Sequence, residues 1–284
     1  MQSKPVSPAR RSLVAAAAGA IASMATLSSP ASWAQAIGKP GALPDQLDQI
    51  MTSRLLRVAV PKEFPPFGYL RDGIPEGYDI AIARMLALDL KVRLEIVPVA
   101  SPQRLPFLQE GKVDLVIASL GKNPEREKVI DFSQAYAPLY IGVFGPPPKT
   151  EGASLKGKRI GVTKGSLDEE ELVRKVPDAE IVRYENSAAI IDAYLKNQIE
   201  YLAAGNVVIE SIKDVQARDR TQRVLLLKDS PCHIGVRKNE ARLLARVNRF
   251  LLEAGDSQAL MINAMVWFKA TLPRDFFSRA KPVT

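Results

Sequence analysis

Cysteine is almost absent from this chain. Cys232 is the only one, which excludes an intrachain disulfide, and it lies too far along to serve as an N-terminal lipid-attachment residue. Histidine is equally scarce: His233 stands alone, and without a cluster of His and Cys a zinc site has no support. Aromatic residues reach only 6% and are not interleaved with basic clusters, so no nucleic-acid partner is expected. After the N-terminal segment, no apolar run approaches the roughly 20 residues that a membrane-spanning helix needs. No metal, cofactor or catalytic residue is expected from this inventory.

What the chain does have is a leader-like start and a globular composition. Its 284 residues are 46% hydrophobic and 25% charged, enough for one large or two modest domains. Residues 1–36 open with Lys4, Arg10 and Arg11, continue in an Ala-rich apolar run, and close on the small residues Ser32, Ala34 and Ala36. That order predicts an export signal cut after Ala34 or Ala36, with the adjacent Arg10 and Arg11 leaving the general and the twin-arginine routes both open. Cleavage removes three basic residues and no acidic one, taking the formal charge from +8 to +5. The expected product is a soluble periplasmic protein without a lipid anchor.

From Leu55 the pattern alternates. "LLRVAV" reads as a strand, "PKEFPPFGYLRDGIPEG" as a loop broken by prolines and glycines, "YDIAIARMLALDL" as a helix and "VRLEIVPV" as a second strand. "SPQRLPFLQEGK" reads as a short capped helix and "VDLVIASL" as a strand buried on both faces. After "GVFGPPPKTEGASLKG" the alternation restarts with "KRIGVTKG", a helix capped by Ser166, "AEIVRYE", "SAAIIDAYLKNQ" and "IEYLAAGN". "RVLLL" and "CHIGVRK" add strands, and a helical run closes the chain. Two α/β units of this kind predict two lobes, each a mostly parallel sheet flanked by helices.

Ligands of open α/β sheets bind at the carboxyl ends of strands. Three loops fit: "FPPFGY", "SLGKNPER" and "KGSLDE". In the second, Ser119 and Gly121 let a small anion approach the backbone, while Arg126 offers two parallel hydrogen bonds of the geometry a carboxylate takes. On this stretch alone an arginine so placed is more often a surface charge paired with Glu125 or Asp131.

The segments "PEGYDIAIARMLALDL", "RLPFLQEGKVDLVIASLGKNPEREKVIDFSQAYAP", "LKGKRIGVTKGS" and "GVRKNEARLLARVNRFLLEAG" tip that balance, because together they resemble the bacterial extracellular solute-binding proteins of family 3, the polar amino-acid receptors of ABC importers. The resemblance covers about residues 55 to 270. It implies a two-lobed Venus-flytrap fold joined by two hinge strands near "YIGVFG" and "IGVRK", with lobe one in residues 37–144 and 236–284 and lobe two in 145–235. It assigns the ligand carboxylate to Arg126, with Ser119, Gly121, Ser166 and Leu167 around it and Phe64 placed to stack on the ligand or to cover the core. Arg104 stands where some acidic-amino-acid binders carry a pocket arginine, Ser101 opens the same helix, and Lys122 either adds charge to the cleft or points away. His233 is expected to be packing.

Three positions depart from the family pattern. Gly121 and Leu167 lack hydroxyls common there, and Gly205, with Asn206 beside it, occupies the place of the aspartate that holds a ligand ammonium. The expectation is therefore a small carboxylate that need not carry a free α-amine. The acids Glu169, Glu170 and Glu171 read as a helix first turn favoured by its dipole. The implied function is capture of an amino acid or related carboxylate for an inner-membrane permease by a monomer. The alternative on the same scaffold is a periplasmic dehydratase.

Overall fold

A strand covered on both faces must be apolar on both, and Leu115–Gly121 is buried at every position. Its side chains alternate between two cores: Leu115 and Ile117 join Leu56, Val58, Ile80, Leu86 and Val247 on one face, while Val116, Ala118 and Leu120 join Leu108 and Ile130 on the other. The fold is a computed structural model in which residues 45–147, 154–269, 271–272 and 276 are described. The expected export signal, residues 1–36, lies outside them.

Helix α1 is Gln46–Ser53, capped by the Asp45 carboxylate. Strand β1 (Leu55–Pro61) leads into a three-stranded ribbon of β2 (Glu63–Phe64), β3 (Gly68–Arg71) and β4 (Ile74–Glu76), where the Pro- and Gly-rich segment reads as plain loop. Then come α2 (Tyr78–Asp89), β5 (Arg93–Val99), a 3-10 turn at Ser101–Gln103 running into α3 (Arg104–Gln109), β6 (Leu115–Gly121), α4 (Pro124–Val129) and β7 (Ile130–Ala137). The second lobe holds β8 (Tyr140–Gly145), β9 (Arg159–Thr163), α5 (Leu167–Lys175), β10 (Glu180–Tyr184), α6 (Ser187–Leu195), β11 (Tyr201–Gly205), α7 (Asn206–Glu210), α8 (Val215–Arg220) and β12 (Gln222–Asp229). The chain returns through β13 (Cys232–Arg237), α9 (Ala241–Asp256) and α10 (Ala259–Phe268). The terminal helical run is thus two helices, broken at Gln258, whose φ of 61° is left-handed.

The two sheets share one plan. The first is ordered β5-β1-β6-β13-β7 and the second β10-β9-β11-β8-β12. In each, four strands run one way and a single strand opposes them: β13 in the first and β8 in the second. Those opposed strands are the ones that enter from the other lobe. The chain crosses outward at Pro138–Leu139 and back at Ser230–Pro231. Lobe limits drawn at 145 and 235 fall at the end of β8 and inside β13, whereas strand pairing gives all of β8 to the second sheet and all of β13 to the first. Each sheet carries apolar cores on both faces, those of the second lobe centred on Leu202, Ile190 and Ile209 on one side and Ile160, Val162 and Leu172 on the other.

Candidate functional site

Arg126 is held in place from its own backbone outward. Asn123, two residues past the end of β6, accepts the Arg126 amide with its side chain at 2.7 Å and so caps α4. Arg126 is 6% exposed; Nη1 donates to the Gly121 carbonyl at 3.2 Å and Nη2 to Glu170 Oε1 of α5 at 2.7 Å. Glu170 also accepts from Asn123. The partners suggested by sequence proximity are taken elsewhere, Glu125 by Lys128 and Asp131 by Lys238. Arg126 therefore reaches across to the second lobe, and it also lines a cavity of about 340 Å³ between the lobes, a volume within the range of small-ligand sites.

Beneath that cavity lies a buried polar triad. Ser119 has a φ of 48°, a left-handed conformation costly for a residue with a Cβ, and two side chains pin it there. Its amide donates to the Tyr136 hydroxyl at 3.1 Å and its own hydroxyl donates to Asp79 Oδ2 at 2.8 Å, while the Tyr136 hydroxyl donates to Asp79 Oδ1 at 2.7 Å. The Tyr78 hydroxyl closes the set on the Tyr136 carbonyl at 3.0 Å. Burial lifts the Asp79 carboxyl to about 7 against these hydrogen bonds, and pushes both tyrosine hydroxyls up. Ser119 lines the cavity, yet both donors that an anion would use point inward. Its part is to shape the floor.

The two lost hydroxyls turn out to be neighbours. A Cβ at Gly121 would fall 2.5 Å from Leu167 Cδ2 and 2.4 Å from Ser230 Oγ, so the missing side chain on β6 makes room for the leucine arriving from the other lobe. Gly205 has a similar neighbour: a Cβ there would lie 3.2 Å from Leu139 Cδ1, in the outward crossing. With Ile141, these leucines make one wall of the cavity apolar.

The lining is also charged. Arg104 lines the cavity with Nε on the Ser101 carbonyl at 3.1 Å and Nη1 on the Ala118 carbonyl at 2.9 Å. Burial, with Arg126 nearby, lowers its pKa to about 10. The four consecutive acids of α5 separate because a helix turns about 100° per residue. Glu169 accepts the Gly165 amide at 2.7 Å and pairs with Arg183, Glu170 holds Arg126, and Glu171 pairs with Arg174 and Lys228. Asp168 alone lines the cavity. Burial raises its carboxyl to about 6, opposed by a hydrogen bond from Ser166 and by the charges of Arg104 and Arg126. Its Oδ1 is buried without a hydrogen-bond partner.

The remaining expected residues fall on either side of the boundary. Phe64 lines the cavity and stacks on Phe67, ring centroids 5.5 Å apart. Ser166 lines it while its hydroxyl accepts the Glu169 amide at 3.2 Å. Ser101 and Leu167 line it as well. Asn206 does not: its Oδ1 accepts the Tyr140 amide at 3.2 Å on the far side of the hinge, since β11 ends at Gly205 and the next residue turns away. Lys122 points outward to Glu127. His233 Nδ1 sits 2.8 Å from the Ser133 carbonyl and its pKa is lowered by burial. Asp168 was missed in the sequence because it sits within a run of acids that reads as a helix start. Asn186 and Glu185, also on the cavity wall, carry no signal beyond the helix cap that Asn186 provides.

Known proteins share this fold. The sequence profile of the bacterial extracellular solute-binding proteins, family 3, matches residues 56–270. The chain is similar to the ABC transporter glutamine-binding protein GlnH of Bacillus subtilis (strain 168), 28% identical over 62% of this chain and 66% of that protein, just under two-thirds of its length. It is similar to the L-cystine-binding protein TcyJ of Escherichia coli (strain K12), 27% identical over 80% of this chain and 88% of that one. Among solved structures it resembles the ancestral amino acid-binding protein AncCDT-1, a precursor of cyclohexadienyl dehydratase, with a TM-score of 0.70 and 25% identity over 79% of this chain and 99% of that one.

Proposed function

The chain belongs to the bacterial extracellular solute-binding proteins, family 3, and from that premise we propose that it is the periplasmic receptor of an ABC importer, capturing an amino acid or related small carboxylate by lobe closure. The observation that carries the reading is Arg126: an arginine 6% exposed, fixed by a capped turn, at the edge of a cavity lined from both lobes. A buried arginine with donors to spare is a carboxylate site, because charge-assisted paired hydrogen bonds offset the loss of water. Lobe closure follows from differential contact. A ligand touching Arg126 and Arg104 on one lobe and the start of α5 on the other binds the closed form more tightly than the open one, and shifts the population by that difference. The closed receptor then presents its solute to an inner-membrane permease.

A thermal-shift screen of amino acids and small carboxylates tests this, since a ligand at a hundredfold excess over its dissociation constant stabilises by about 2.7 kcal/mol. Arg126→Ala should abolish the shift in a protein that still unfolds cooperatively, at a lower unliganded melting temperature because Glu170 and the Gly121 carbonyl lose their donor. Retention of full affinity in that variant would remove the assignment.

A dehydratase is the second reading, and one observation favours it. A buried carboxyl raised to about 6 beside two arginines, as Asp168 is, has the properties of a general acid at neutral pH. Water loss from a prephenate-like acid incubated with the purified protein would establish it.

A further inference from the structure

The cleft contains a negative charge that the bare position at Gly205 does not foretell. Asp168 projects from the first turn of α5 on the second lobe into the same cavity that Arg104 and Arg126 line from the first. Its Oδ1 is shielded from solvent and accepts no hydrogen bond. A buried acceptor without a donor is unfavourable, and such groups in folded proteins call for a ligand or a specific role.

The neighbouring arginines have committed part of their donor sets. Arg104 spends Nε and Nη1 on the carbonyls of Ser101 and Ala118, and Arg126 spends Nη1 and Nη2 on Gly121 and Glu170. The charges lining the cavity are balanced, Lys62, Arg104 and Arg126 against Glu63, Asp168 and Glu185, and Glu170 lies just outside on Arg126. A purely anionic solute would have to lie near the unpaired carboxylate. A zwitterion satisfies both ends, since the remaining guanidinium donors meet its carboxylate and the Asp168 carboxylate, turning about its own axis, meets its cation.

We propose that Asp168 receives the ammonium or guanidinium of a zwitterionic ligand, so that the counter-charge missing at Gly205 is supplied from the N-terminal turn of α5. This rests on the receptor reading above and replaces the expectation that a free amine is dispensable. The cation is thereby moved from the end of β11, where Leu139 fills the space beside Gly205, to the side of the cavity occupied by the two arginines. The ligand lies differently from one anchored at position 205.

Titration calorimetry at pH 7.5 on the purified protein tests it with matched pairs: L-glutamine, L-arginine, L-cysteine and L-cystine, each against its 2-hydroxy or des-amino counterpart. At least one amino acid binds the wild-type protein, and its amine-free partner binds about 30-fold weaker or worse, the loss expected for one charge-assisted contact. Asp168→Asn weakens the amino acid by a similar factor and narrows the gap within the pair to about threefold or less. Arg126→Ala weakens both members. The unliganded melting temperature of Asp168→Asn should equal or exceed that of the wild type, which separates lost recognition from lost folding. Equal binding of a pair by the wild type, unchanged affinity in Asp168→Asn, or an equal loss for both members of the pair in that variant overturns the inference and leaves the receptor reading standing. Failure of every amino acid and carboxylate to bind the wild type overturns both.

Discussion

A methyl group at position 121 asks directly whether the lobes meet as described. In Gly121→Ala the new Cβ lies 2.5 Å from Leu167 Cδ2 and 2.4 Å from Ser230 Oγ, about 1 Å inside the usual separation of non-bonded heavy atoms. Both neighbours are side-chain ends that can swing, so relief costs what overpacking usually does, about 1–3 kcal/mol. Leu167 comes from the second lobe, so its share of that penalty falls on the closed form, while the share from Ser230, in the return crossing, is common to both forms. Affinity should therefore drop by about 5- to 150-fold, while the unliganded melting temperature moves by no more than about 2 °C. The assay is calorimetric titration of wild type, Gly121→Ala, Leu167→Ala and the double variant with the best amino acid from the screen. In the double variant the methyl occupies space the leucine has left, so much of the loss from the first change should be recovered. Wild-type affinity in Gly121→Ala, or simple addition of the two single effects, would refute the argument.

Asp168 and Asp79 carry folded pKa values of about 6 and about 7 against an ordinary 3.8. Each keeps a proton in the folded state that the unfolded chain has released, so the contribution of these two groups is greatest at and below about pH 4 and declines until the pH passes the folded value. Asp168→Asn should flatten the part of that decline below about pH 6 in melts of the unliganded protein, and should gain nothing at pH 4; an unchanged pH profile would count against the burial of this carboxyl. Glu170→Ala removes a contact that Arg126 makes across the lobes, and small-angle scattering of the unliganded variant should show a larger radius of gyration than the wild type. An identical scattering curve would mean that the pair does not hold the lobes together. Asn206→Ala should leave ligand affinity unchanged, because that side chain serves the Tyr140 amide outside the cavity; a clear loss on titration would return Asn206 to the site.

The fold was legible where burial repeats. Leu115–Gly121 reads as a doubly covered strand because nothing in it is charged, and Ser166 reads as a cap because acids follow it and apolar residues recur beyond. The ribbon from Glu63 to Glu76 escaped because its strands are short and partly exposed, with prolines that mimic a loop. Arg126 was found because strand end, cap and arginine are contiguous. Asp168 was not, since four acids in a row look alike in sequence, and only the helical rotation decides which of them reaches the cavity. Ser119 lies between these cases. Its location in the site is readable, but the inward turn of its donors depends on Asp79 and Tyr136, forty and seventeen residues away.

The two crossings between the lobes are not independent. The Ser230 amide donates to the Leu139 carbonyl at 2.9 Å, lashing the outgoing and returning chains together at mid-span. Paired tethers tied at one point bend together far more readily than they twist or slide, so the protein should open and shut like a door on a single pin. Whatever solute is caught, the outer surfaces of the two halves would then come to the same final alignment, and a membrane partner could recognise the shut form without sensing what is inside.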